Sequence, residues 1–126
     1  MKFALLVYID PKQLAALPPG EFDARMRHCL AHADDLRQKG KLFDSQMLGL
    51  PAAARSVRAR NGRRTVLDGP FAETKEVLAG FNLIEADDVD EAVRIAEEFP
   101  WIHTGCLEVR PLDDIEAVRR RVLPPV

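Results

Sequence analysis

Asp10 closes the first apolar run of the chain, Phe3 to Ile9, and Pro11 follows it. A carboxylate at a strand's end, facing a cavity, can serve as a general base. An Asp-Pro pair is also a turn initiator, since the aspartate bonds the backbone ahead of it and proline sets φ. His28, Cys29 and His32 crowd one helical turn further on. A thiol beside an imidazole acts as a nucleophile or redox centre when a cation is near and solvent reaches it. The competing reading is a small apolar residue on a buried stripe. His28 and His32 stand four apart, so one helix face presents both, but no third ligand follows at metal spacing. No metal or other cofactor is expected. His103 falls in a turn, with no chemistry attached to it.

A second stretch with chemical content is Asp68-Gly69-Pro70-Phe71, followed by Glu73 and Lys75. As a corner it has a mechanism: aspartate bonds ahead and proline fixes φ. Phe71 then anchors the corner by burial, contributing about 1.5–3 kcal/mol. As a site, Asp68, Glu73 and Lys75 rim a cavity mouth and touch a ligand.

Arg55, Arg58, Arg60, Arg63 and Arg64 cluster around Asn61-Gly62, and Arg119, Arg120 and Arg121 lie near the end. A polyanion could sit on such a patch. The cluster has no interleaved aromatic for base stacking, and charged edge strands also guard against sheet aggregation. The whole chain carries a net charge of −2, so a protein built for nucleic acid is not expected. No apolar run approaches a membrane span, so no membrane partner is expected. The start, MKFALLVYIDP, lacks a small-residue cleavage site and reads as a strand rather than a signal peptide. Cys29 and Cys106 then read as free thiols of a cytoplasmic protein.

These side chains need elements to hold them. At 126 residues, 47% of them apolar, the chain can build one core. Phe3 to Ile9 is short and rich in β-formers. Glu21 to Lys39 carries Phe22, Met26, Cys29, Leu30, Ala33 and Leu36 at helical spacing, with Gly40 as its stop. Leu42 to Leu48 reads as a second strand. Asn61-Gly62 between Arg55–Arg60 and Arg63–Leu67 is a hairpin signal. Glu73 to Ala79 reads as a short helical turn ended by Gly80, and Phe81 to Ala86 as a strand. Asp87-Asp88 opens a second helix that ends at Phe99-Pro100. Gly105 to Arg110 is the last strand, and Asp113 to Val122 a tail helix.

The order is a ferredoxin-like βαββαβ α+β pattern with an inserted β-hairpin. Helices then cover one face of the sheet. Alternation along the first strand sends Phe3, Leu5, Val7 and Ile9 to the helices, and Ala4, Leu6, Tyr8 and Asp10 to the open face. In the last strand Glu108 and Arg110 join the open face. An apolar face studded with Tyr8, Asp10, Glu108 and Arg110 suits a second subunit packed over a partly polar cavity. A homodimer is expected.

The block VLDGPFAETKEVLAGFNLIEADDVDEAVRIAEEFP, Val66 to Pro100, closely resembles the YCII-related proteins of the DGPF subgroup. KFALLVYID and GCLEVRPL resemble that family's first and last strands. The resemblance spans residues 1–112 as one domain and leaves residues 113–126 as a tail. It implies a dimeric α+β barrel, two sheets face to face, in a small bacterial cytosolic protein. Association of some relatives with sigma factors implies a regulatory role. For short YCII-type relatives it implies a dyad of an Asp at the end of the first strand and a His on the first helix. The Asp position falls on Asp10. The His position, counted back from the glycine that closes the helix, falls on Cys29, with His28 and His32 at other angles. Two functions remain open. One is a protein that binds a small molecule or a partner. The other is a cofactor-independent enzyme with Asp10 as base, which needs Asp10 within hydrogen-bond reach of a histidine or Cys29.

Overall fold

The structure is a computed structural model and describes residues 1–125. Strand β1 (Lys2–Ile9) leads through a short helix α1 (Pro11–Ala15) to the long helix α2 (Glu21–Gln38). Strand β2 (Leu42–Met47) precedes the hairpin of β3 (Arg55–Arg60) and β4 (Arg63–Asp68). Then come β5 (Val77–Glu85), α3 (Val89–Glu97), β6 (Gly105–Pro111) and α4 (Ile115–Val122). The main sheet is antiparallel with strand order β2-β5-β1-β6, consistent with a ferredoxin-like fold. The hairpin forms its own two-stranded sheet. Among the described residues no helix is long and apolar enough to cross a membrane.

The core lies between the sheet and the pair α2 and α3. Phe3, Leu5, Ile84 and Phe99 are fully buried, with Val7, Ala33, Leu36, Leu42, Ala92 and Ile95 around them. Each large side chain here contributes about 1.5–3 kcal/mol by burial. The helix stripe forms at the expected spacing, except for Phe22 in the first turn and Leu30, which are exposed. At about 100° per residue Leu30 lies roughly 80° from Phe22, whereas Met26, Cys29, Ala33 and Leu36 lie within about 40° of it. Asp88 caps α3 by accepting from the Glu91 N–H at 2.8 Å, the role its position before the apolar period calls for.

Two local expectations are corrected. Val77 to Gly80 is strand, not the end of a helical turn: Val77 pairs with Ile9 and Leu78 with Tyr8. β-Branched Val77 suits the pleat, and β1 offers a free ladder there. Gly80 is therefore no helix stop. It sits mid-strand because a Cβ there would stand 2.6 Å from the Gln46 carbonyl oxygen on β2. Phe71 does not anchor its corner by burial, being 77% exposed. Its ring lies under the Arg58 guanidinium, 6.0 Å from the centroid, because no core residue reaches the hairpin's base. The segment after Asp10 also folds further than a turn, into α1.

Candidate functional site at the end of the first strand

Asp10 leaves β1 and turns inward, and only 2% of it is exposed. Its backbone N–H donates to the Thr104 carbonyl at 2.9 Å, which ties the end of β1 to the turn before β6. Its Oδ1 accepts from the Lys12 N–H at 3.0 Å and so caps α1, with Pro11 at the first helical position. Its Oδ2 accepts from Gln13 Nε2 at 3.4 Å and faces Lys75 Nζ at 3.9 Å. The turn initiator and the buried carboxylate are one residue. No histidine and no cysteine is among these partners. The hydroxyl of buried Thr104 has no hydrogen-bond partner among the described residues, a feature that buried polar atoms seldom show without a reason.

On the open face beside this corner, the Tyr8 hydroxyl donates to Glu108 Oε1 at 3.4 Å. Burial pushes the Tyr8 phenol upward, and the Glu108 charge adds to it. Cys106 lies opposite Tyr8 in the ladder and is exposed. Burial of its sulfur, then the charge and hydrogen bond of Glu76, and then Glu108, push its thiol upward. Arg110 stands two residues along the same strand face as Glu108. Tyr8, Asp10, Lys75, Glu76, Cys106 and Glu108 thus meet where β1, β5 and β6 end. Glu76 went unseen in the sequence because reading Glu73 to Ala79 as helical hid that it heads a strand beside β1. Val77 to Phe81 is apolar or glycine throughout, so no alternation marks the strand in the sequence.

The other candidates lie apart from this corner. Asp68 ends β4 and faces Arg55 Nη1 at 3.7 Å. Glu73 is exposed in the loop before β5. His28 Nε2 donates to the Glu98 carbonyl at 3.1 Å, and His32 Nε2 to the Ile95 carbonyl at 3.0 Å. Both imidazoles therefore cap the C-terminal end of α3 from α2, where the helix dipole favours donors. Cys29 is half-buried against the core. Burial raises its thiol pKa, partly offset by a hydrogen bond from Trp101. Such a thiol is a poor nucleophile at neutral pH. An open groove of about 400 Å³ between α2 and the chain after α3 is lined by Arg25, His28, Glu98 and His103. Arg25 Nε is engaged with Glu21 at 3.1 Å and His28 with the helix end, while Arg25 Nη1 is buried without a hydrogen-bond partner among the described residues.

A profile of the YCII-related domain matches residues 1–116. An uncharacterized protein of Rhizobium meliloti (strain 1021) is 39% identical over 114 residues, covering 89% of this chain and 92% of that protein. A solved structure aligns at 18% identity and a TM-score of 0.46, over 90% of this chain and 94% of that one. It is 5-chloro-2-hydroxyhydroquinone dehydrochlorinase from Burkholderia phenoliruptrix AC1100, in complex with 2,5-dihydroxybenzoquinone. At that overlap the likeness carries nothing about chemistry.

Proposed function

The chain belongs to the YCII-related family, and from that premise we propose that it is a homodimer that binds a small molecule between two open sheet faces, packed as a dimeric α+β barrel. Within the family we assign it to the DGPF subgroup on Asp68-Gly69-Pro70-Phe71. Residues 1–112 form the binding domain and the rest is an appended tail. A cytoplasmic, regulatory setting is the context we propose for it.

One observation carries the reading. The open face holds half-buried Leu6, Phe81 and Leu83 around the Tyr8–Glu108 pair, with buried Asp10 at its edge. A solvated face would be more polar and a dry core would lack the carboxylates. A second sheet covering this face buries the apolar part and leaves the polar end as a pocket. Tyr8, Lys75, Glu76, Glu108 and Arg110 would line it and set orientation by hydrogen bonds. Catalysis by Asp10 as general base is the second reading. Its support is a carboxylate that is buried and next to an ammonium. Against it stands the engagement of both oxygens in capping and pairing, with no histidine or thiol beside them. Cys29, His28 and His32 have structural work that accounts for them.

A crystal structure after a metabolite soak tests this. Ligand density between two sheets, touching Tyr8 and Glu108, is the expected result. A filled, dry interface, or sheets that do not pack together, would overturn the binding reading.

A further inference from the structure

Two strands alone are marginal in water, yet β3 and β4 pair along their whole length, from Arg55 opposite Asp68 to Arg60 opposite Arg63. At its base the hairpin's two legs are joined to each other, where the Gly69 N–H donates to the Ala54 carbonyl at 2.7 Å and Ser56 Oγ donates to the Gly69 carbonyl at 2.9 Å. Val57 and Val66 face each other across the ladder and remain 70% and 59% exposed. Leu67, on the opposite face, is 59% exposed, and Phe71, 77% exposed, lies under Arg58. Apolar side chains gathered on a projecting element mark a contact surface.

Charge says what it contacts. From Arg55 to Asp68 there are five arginines and one aspartate, a net +4. The rest of the chain has thirteen lysines and arginines against nineteen carboxylates, a net −6. Only Arg55 has an ion-pair partner among the described residues, Asp68. Arg58, Arg60, Arg63 and Arg64 have none. A basic, apolar arm on an acidic body complements a second body of the same kind. Nucleic acid fits less well. It would meet the −6 body on approach, and β3 and β4 carry no aromatic for stacking.

We propose that the β3–β4 hairpin is a docking arm that seats on the acidic body of a second copy of this chain. It rests on the homodimer reading for its partner, but it uses a surface separate from the open sheet face.

The test is sedimentation equilibrium of the full chain across protein concentration. The proteins are wild type, V57S/V66S, R58S/R63S and the sheet-face variant Leu6→Arg, each checked for folding by circular dichroism. Both arm variants should weaken self-association about ten-fold or more, and wild-type association should weaken from about 50 to about 500 mM NaCl. Unchanged association of both arm variants while Leu6→Arg dissociates overturns the arm and leaves the sheet-face dimer. Loss in the arm variants with Leu6→Arg unaffected supports the arm and overturns the sheet-face dimer. A monomeric wild type overturns both. Binding of duplex DNA by wild type that R58S/R63S abolishes, with self-association unchanged, assigns the arm to nucleic acid and overturns the proposal.

Discussion

Asp10 is held by the backbone it caps, and this separates its structural role from any chemical one. Asparagine caps a helix about as well as aspartate, whereas alanine loses about 0.5–2 kcal/mol. Asp10→Asn should therefore keep the cap and most of the stability, and lose the Gln13 hydrogen bond and the Lys75 pairing at Oδ2. Asp10→Ala should lower the unfolding free energy from urea titration by that larger amount. A variant Asp10→Asn as unstable as Asp10→Ala would show that the charge, not the cap, holds this corner. The two thiols allow a second check. Both pKa values are raised, mainly by burial, so less thiolate is present at any given pH than in free cysteine. Cys106 is exposed and Cys29 half-buried. Iodoacetamide at pH 7.5 should alkylate Cys106 first, and both more slowly than free cysteine, as read by peptide mass spectrometry. Faster labelling of Cys29 would revive it as a reactive thiol.

The elements are held in register by contacts that the sequence shows unevenly. Gly105 opposes Ile9, and a Cβ there would run into the Tyr8 carbonyl oxygen and the Ile9 Cα. Gly105→Ala must push β6 away from β1, at a cost of about 1–3 kcal/mol or more, measured by urea unfolding. Wild-type stability in that variant would mean the β1–β6 edge yields freely. Lys41 Nζ meets Glu91 Oε1 at 2.9 Å and ties the start of β2 to α3. The Lys41 hydrogen bond holds Glu91 below its ordinary 4.5. A depressed carboxylate contributes stability that is present above its unfolded pKa and lost as pH falls through the folded one. Glu91→Gln should thus lower stability at pH 7 and flatten its decline at acid pH, followed as urea midpoints down the acid limb. Helices α2 and α3 were legible in extent, α2 from its stripe and closing glycine and α3 from its Asp88 cap, although Val89 and Val93 of the α3 period lie exposed while Ala92 and Ala96 are buried. Strand β5 was legible only from Phe81 on. Val77 to Gly80 has no pattern that outweighs a helical reading until β1 is present to pair with it. The Asp10 corner was half legible for the same reason. Its carboxylate and Lys75 stand out in the chain, but Glu76 and Thr104 join it only through strand pairing.

At the scale of the whole molecule, a buried core carries two additions that contribute little to it. The hairpin follows β2 and α4 follows β6, so each extends from an edge strand of the main sheet. Phe71 shows why burial in this part could not be read from one chain. An aromatic in a corner is a sound anchor only if something covers it, and the single chain does not. Helix α4 has the same character. Asp114 caps it through the Glu116 and Ala117 N–H groups at 3.0 and 3.1 Å, and Ile115, Val118 and Val122 line one side, yet none of its residues is buried. Its cap and its Arg119–Glu116 pair are local, and an exposed pair of that kind is worth well under about 1 kcal/mol. Removing residues 113–126 should therefore leave the unfolding free energy of the dilute protein, read from urea titration, unchanged within about 0.5 kcal/mol. The m-value should fall only slightly, since little surface is exposed by unfolding this segment. A larger loss at low protein concentration would mean α4 packs on its own body in solution. A loss that appears only as concentration rises would place α4, like the hairpin, at a contact between copies.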